Sequence, residues 1–208
     1  MKHSQIIKKV NEYYSRKVLD CGPVPQGVDW NSAESQRMRF AQLAKILPED
    51  SGHFSVLDYG CGYGALYEYL QSEFNLFDYS GYDISEAMIA EAGKKYREKN
   101  IKWLTDAGSI APHDFVMASG ILNVKLNFTK PLWERYVKAV LQQMNEWSQK
   151  GFAFNVLTKY SDRDRMKKHL YYADPAFLFD YCKKHFSKYV AVLHDYPLYE
   201  FTVHVKKF

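Results

Sequence analysis

The sequence predicts an α/β fold: a doubly wound, mostly parallel sheet of seven strands with helices on both faces, an antiparallel C-terminal hairpin and an N-terminal helical extension. Three observations point there. From residue 54 onward short β-rich runs alternate with amphipathic helices, the pattern of βαβ units. One of those strands runs directly into a glycine-rich turn and a helix, in the run VLDYGCGYG at residues 56–64. The final 21 residues, KYVAVLHDYPLYEFTVHVKKF, hold two alternating runs on either side of residues 194–197, which reads as a hairpin.

Taken in order, residues 4–19 read as a helix, and residues 20–30, DCGPVPQGVDW, read as a loop because two prolines and two glycines break any periodic pattern. Asn31 with Glu34 three residues on resembles a capping box for a second helix, in which Phe40, Leu43, Ala44 and Leu47 recur at helical spacing. Strands are expected at 54–59, 79–84, 101–105, 113–119 and 150–157, with helices at about 63–74, 85–99 and 131–148 between them. The last of these helices carries Trp133, Val137, Val140, Leu141, Met144 and Trp147 on one face. Asp174 before Pro175 is an N-cap with proline at the first helical position, starting a helix that runs to about residue 186. The expected organisation is a helical cap over residues 1–50 and one α/β domain over residues 51–208, with a lid-like insertion at 158–173.

Composition excludes more than it assigns. Hydrophobic residues make up 47% of the 208, enough for one packed core. A net charge of +4 is too small to imply a nucleic-acid partner unless it is concentrated on one face. Cys21, Cys61 and Cys182 are odd in number and widely spaced, which suggests neither a disulfide framework nor a metal site and fits a reducing cytoplasm. The first twenty residues hold no apolar run of signal-peptide length, and no stretch reaches the roughly eighteen apolar residues of a membrane span. Aromatic residues are abundant at 16%, and some of the 17 tyrosines are candidates for lining a pocket.

The chemistry-bearing signal is VLDYGCGYG, where a strand ends near Asp58 and offers Gly60, Gly62 and Gly64 before a helix. Glycines at such a turn let backbone approach a ligand, and the following helix presents unpaired N–H groups to it. The bland alternatives are an ordinary tight turn or a nicotinamide fold. The spacing D-x-G-x-G-x-G differs from the dinucleotide fingerprint G-x-G-x-x-G, because the third glycine comes one residue early and an acid precedes the first. A second acid, Asp83 in YSGYDI, follows Gly64 by 19 residues, near the spacing at which nucleotide folds set a carboxylate against ribose hydroxyls.

These residues resemble the first motif of the class I S-adenosylmethionine-dependent methyltransferases, which are Rossmann-like enzymes, at Asp58, Gly60, Gly62 and Gly64. The resemblance runs from about residue 54 to the C-terminal hairpin. It implies S-adenosylmethionine as cofactor, with the backbone of Gly60, Cys61 and Gly62 near its amino-acid end and Asp58 positioning the turn. It further implies Asp83 on the ribose, Ile84 and Met88 flanking the adenine, and an adenine-edge contact from residues 105–107, TDA, chiefly Asp106 and Ala107. The run ASGILN at 118–123, with Ser119, then corresponds to the fourth motif beside the sulfonium. It departs from the N/D-P-P-Y form of many enzymes that methylate nucleobase or glutamine amino groups, which argues against that acceptor class.

The same resemblance implies a small-molecule acceptor bound under the variable segments. Tyr171, Tyr172 and Tyr199 are candidate walls, Arg163, Arg165, Lys167 and Lys168 candidate anion contacts, and His169 or His194 candidate general bases for a hydroxyl acceptor. Arg37 or Arg39 could reach the cofactor carboxylate from a helix packed over it. For each of these the plain reading is a solvated surface residue. Three other functions remain open at this level: a non-catalytic module binding S-adenosylmethionine or its product, an RNA methyltransferase, and a nicotinamide oxidoreductase.

Overall fold

The computed structural model describes residues 2–28, 30, 32–48 and 52–208. Helix α1 spans Lys2–Cys21 and α2 spans Ala33–Ala44, with a single 3-10 turn at Pro25–Val28 between them. Asn31, expected in a capping box, lies outside the described residues. The cap is Ser32, whose side chain accepts a hydrogen bond from the Ser35 N–H.

Seven strands follow as expected: β1 Phe54–Tyr59, β2 Phe77–Tyr82, β3 Lys102–Leu104, β4 His113–Ala118, β5 Ser148–Leu157, β6 Tyr189–Leu193 and β7 Glu200–Lys206. They pair in the order β3-β2-β1-β4-β5-β7-β6. The first five are parallel, and β7 inserts antiparallel between β5 and β6. Consecutive residues point to opposite faces. Val56, Phe115, Met117 and Ala153 face one core with α2 and with α3, Ala65–Glu73. Leu57, Val116, Ala118, Phe152 and Phe154 face the other, with α5, Lys130–Trp147, and α6, Pro175–His185. Helices thus cover both faces, which a parallel sheet with hydrophobic strands requires.

Element ends shift for local reasons. The helix expected from residue 63 starts at Ala65 because Gly62 and Gly64 both adopt positive φ, 53° and 82°. Helix α4 spans Glu86–Lys95 and stops short of residue 99, where Tyr96 turns inward and stacks on Trp103 at 5.9 Å. Strand β2 ends at Tyr82, so Asp83 stands just beyond it at the C-terminal edge of the sheet.

The expected lid at 158–173 is pinned down instead. Lys159 N–H donates to Ala173 O (2.8 Å), Ala173 N–H to Leu157 O (2.8 Å), and Tyr171 N–H to Asn123 O (2.7 Å). Tyr171 and Ala173 are buried in the α5/α6 core, so the segment packs beside the sheet end. Among the described residues, no helix is long and apolar enough to cross a membrane.

Candidate functional site

The strand order places β1 between β2 and β4, with crossovers leaving in opposite directions. A crevice opens at such a switch point, outside the carboxyl ends of the strands. Here it is a cavity of ≈ 190 Å³. Its floor is the β1 turn (Asp58 to Gly62), the β2 end (Tyr82, Asp83, Ile84) and the β4 end (Ser119, Gly120, Ile121). Its roof comes from the N-terminal part: Ile7, Val10 and Tyr14 of α1, Val28, Trp30, and Gln36 and Phe40 of α2. Tyr136 and Gln143 of α5 close the far side.

The turn is built by its glycines and by Asp83. Gly60 sits at φ 77°, and a Cβ there would fall 2.2 Å from Ile121 Cγ2, so no other residue fits without moving the β4 end. Gly60 and Cys61 both donate N–H to Tyr82 O, at 2.7 and 3.0 Å, which ties the turn to the β2 end. Asp83 completes the tie: its Oδ2 accepts from Gly62 N–H (3.0 Å) and its Oδ1 from Ser85 N–H (2.8 Å). Each carboxylate oxygen keeps a second lone pair for a ligand. Burial raises the Asp83 carboxyl above its ordinary range, opposed by those two N–H donors.

Asp58, 2% exposed, receives the Tyr79 hydroxyl at 2.6 Å. Burial raises its pKa to about 7, against the lowering effect of that hydrogen bond. At the β4 end Gly120 N–H donates to Asn155 Oδ1 (2.7 Å), while Asn155 Nδ2 donates to Ser119 Oγ (3.3 Å). The fully buried Asn155 thus holds the strand end from β5. Ser15 of α1 and Ser85, the N-cap of α4, share a hydroxyl hydrogen bond at 2.8 Å that fastens the roof to the floor.

Of the residues singled out in the sequence for the cofactor, Asp58, Gly60, Cys61, Gly62, Asp83, Ile84, Met88, Ala107 and Ser119 converge on this cavity. Asp106 does not: its carboxylate accepts from Gly108 N–H (3.1 Å) and the Ser109 hydroxyl (2.9 Å) and caps its own turn. The acceptor-side expectations also fall elsewhere. His169 is exposed, and so is His194, whose ring rests on Phe201 at 5.7 Å. Neither is on the described lining of the cavity.

Tyr171 is a core residue, 1% exposed, with its hydroxyl on Glu134 at 3.4 Å. The Tyr172 hydroxyl accepts from Lys167 N–H at 2.9 Å, and the Tyr199 hydroxyl donates to Asp162. Arg163, Arg165, Lys167 and Lys168 are exposed and away from the cavity. Arg37 pairs with Glu73 at 2.6 Å on the surface, and Arg39 is committed to Glu200. Within residues 158–173 the physical reason is packing: Tyr171 and Ala173 are buried in the α5/α6 core, which holds the segment outside the crevice.

What the sequence left unassigned is which residues of the N-terminal cap face the site. Ile7, Val10 and Tyr14 recur at helical spacing, the one available signal, but the same spacing describes any helix lying on a core.

Comparison with known proteins agrees with this geometry. Residues 56–151 match the sequence family described as "Methyltransferase domain". The chain is 45% identical over 155 residues to the Mycobacterium tuberculosis protein named "Putative methyltransferase Rv1506c", a match covering 74% of this chain and 93% of that one. In fold it is similar to magnesium protoporphyrin IX methyltransferase from Synechocystis, solved with bound S-adenosylhomocysteine, at TM-score 0.71 and 14% identity over 97% of this chain and 99% of that one. A plantazolicin methyltransferase is similar at TM-score 0.63 and 17% identity, over 98% and 100% of the two chains. With its β1 glycine turn, its sheet order and its closely identical relative, the chain belongs to the class I S-adenosylmethionine-dependent methyltransferases and is a methyltransferase enzyme.

Proposed function

We propose that this enzyme methylates a small molecule inside the cavity at the β1, β2 and β4 ends, and that the residues converging there bind S-adenosylmethionine. The observation that carries this reading is the Asp83 carboxylate, which lines the cavity and holds the glycine turn through Gly62 N–H, with acceptor capacity beyond its two N–H donors. Asp83 would bind the ribose hydroxyls. Ile84, Met88 and Ala107 would form the apolar slot for the base, and Asp58 would face the ammonium of the methionine end across the turn. The donor set fits the group: a carboxylate for a diol, an apolar slot for a ring, and a buried acid for a cation.

When bound, S-adenosylmethionine would supply an electrophilic methyl group on a sulfonium, which is already an excellent leaving group. The chain's own contribution is alignment and exclusion of water. Ser119 and Gly120, held by Asn155, fix the β4 side of the reaction space, and the α1 roof covers it. Among the described lining residues there is no histidine, so a dedicated imidazole base is not part of this reading.

The test is calorimetric titration with S-adenosylmethionine and with NAD, repeated on Asp83→Ala and Asp83→Asn. Selective donor binding is expected, weakened by about tenfold or more in Asp83→Ala. Selective binding of NAD would sink the proposal. Transfer of labelled methyl to an added acceptor separates the enzyme reading from mere binding.

A further inference from the structure

Beyond the donor contacts, the β4 side of the cavity has walls that describe what the acceptor is. Going from Asp83 across the β1 turn leads to Ser119, Gly120 and Ile121, and over Gly120 lies Trp30. The indole comes so close that a Cβ on Gly120 would stand 2.4 Å from Cη2 and 2.5 Å from Cζ2. The ring is held from outside by Arg39, whose guanidinium sits 4.1 Å from its centroid.

Arg39 is itself locked. Its Nε donates to Glu200 Oε2 (2.9 Å), Nη2 to Glu200 Oε1 (2.8 Å) and Nη1 to Ser35 O (2.8 Å), with Arg39 7% and Glu200 1% exposed. A buried pair of this kind is weak evidence for stability, because desolvation offsets its attraction, and its better-attested use is to specify one arrangement. Here the arrangement specified is the position of Trp30 against the β4 end.

The chemistry of the neighbouring surface is one-sided. The cavity that Trp30 lines also has Ile7, Val10, Tyr14, Ile121 and Tyr136 on its walls. Among the described residues on the lining there is no lysine, arginine or histidine, while Asp58 and Asp83 both face the cavity. Arg39 offers no free charge, since Glu200 neutralises it. An anionic acceptor would lose its hydration with no lysine, arginine or histidine on the described lining to replace it, whereas a flat uncharged ring would bury its faces on aromatic and aliphatic walls.

We propose that the acceptor is an uncharged aromatic molecule that packs on Trp30, and that the Arg39–Glu200 pair is the positioning device for that wall. This rests on the donor reading for the side of the cavity on which the methyl group arrives.

The protein loaded with S-adenosylhomocysteine is titrated in a calorimeter with 2-naphthol and with 6-hydroxy-2-naphthoate, on the native chain, Trp30→Ala and Glu200→Gln. The expected result is naphthol binding that is about tenfold or more tighter than that of the carboxylate and is weakened about tenfold or more by Trp30→Ala, with S-adenosylhomocysteine affinity held within about threefold. Glu200→Gln is expected to weaken naphthol in the same direction. Equal or tighter binding of the carboxylate, absence of naphthol binding, or naphthol affinity indifferent to Trp30→Ala overturns the proposal. Titration of S-adenosylhomocysteine alone reports failure of the donor reading separately, and naphthol titration of the unloaded protein still reads the ring site.

Discussion

Asp58 shows most directly how burial sets chemistry at a single side chain. Its pKa stands at about 7 because desolvation outweighs the Tyr79 hydrogen bond. The folded protein therefore holds a proton that the unfolded chain releases near the ordinary value of 3.8. Stability falls as pH rises between those values, by about 1.4 kcal/mol per pH unit at most, and the full cost is present above the folded value. Between pH 5 and pH 8 the melting temperature of the native chain is expected to drop relative to Asp58→Asn, by roughly 2–4 °C per kcal/mol. A constant difference across that range would mean that Asp58 is ionised throughout. Gly60 gives a second prediction at this scale: with φ 77° and Ile121 Cγ2 2.2 Å from a would-be Cβ, Gly60→Ala is expected to cost about 1–3 kcal/mol and to weaken donor binding in the same titration. The Asp58 and glycine positions were legible in the sequence because the turn's conformation is a local property. The Asp58 pKa was not, because its cause is burial by residues on other strands.

Among the elements, residues 1–50 and residues 158–173 were both expected over the acceptor, and the described lining of the cavity draws on the first and not on the second. Helix α1 buries Ile6 and Val10 in the core while turning Ile7 and Tyr14 to the cavity, and Ser15 bonds to the cap of α4. Ligand that fills the cavity must therefore rest against this helix. Hydrogen exchange is expected to slow in α1 and in the β1 turn when S-adenosylhomocysteine is added, and to stay unchanged at residues 158–173. Slowing confined to residues 158–173 would restore the lid reading. Ile7→Glu offers a sharper check, since Ile7 is 42% exposed: the melting temperature should move little while ligand affinity falls. The strands and α5 were legible through their periodicity. The placement of residues 158–173 was not legible, because a charged loop after a strand end gives no local sign of whether its aromatic residues turn toward a crevice or, as with Tyr171, into the core.

At the scale of the whole molecule, the N-terminal elements are tied into the α/β core. Arg39 and Glu200 lie 161 positions apart and join α2 to β7, and α2 residues Phe40 and Leu43 share one core with β1 and α3. We expect one cooperative unfolding transition, coincident by fluorescence and circular dichroism. Glu200→Ala is expected to cost about 3–5 kcal/mol by leaving Arg39 buried without its partner, and a loss under about 1 kcal/mol would show that the pair contributes little.

The sequence by itself determined the α/β class, the strand succession, the antiparallel hairpin, the glycine turn and the two acids beside it. Those features are set by periodicity, by backbone freedom at glycine and by spacing along one strand–turn–helix unit. Only the tertiary structure decided that Ile7, Trp30, Ile121 and Tyr136 meet around one cavity and that Arg39 faces Glu200. Each of these groups comes from a different element, and their meeting depends on how helices pack across a twisted sheet, a long-range outcome that no local pattern encodes.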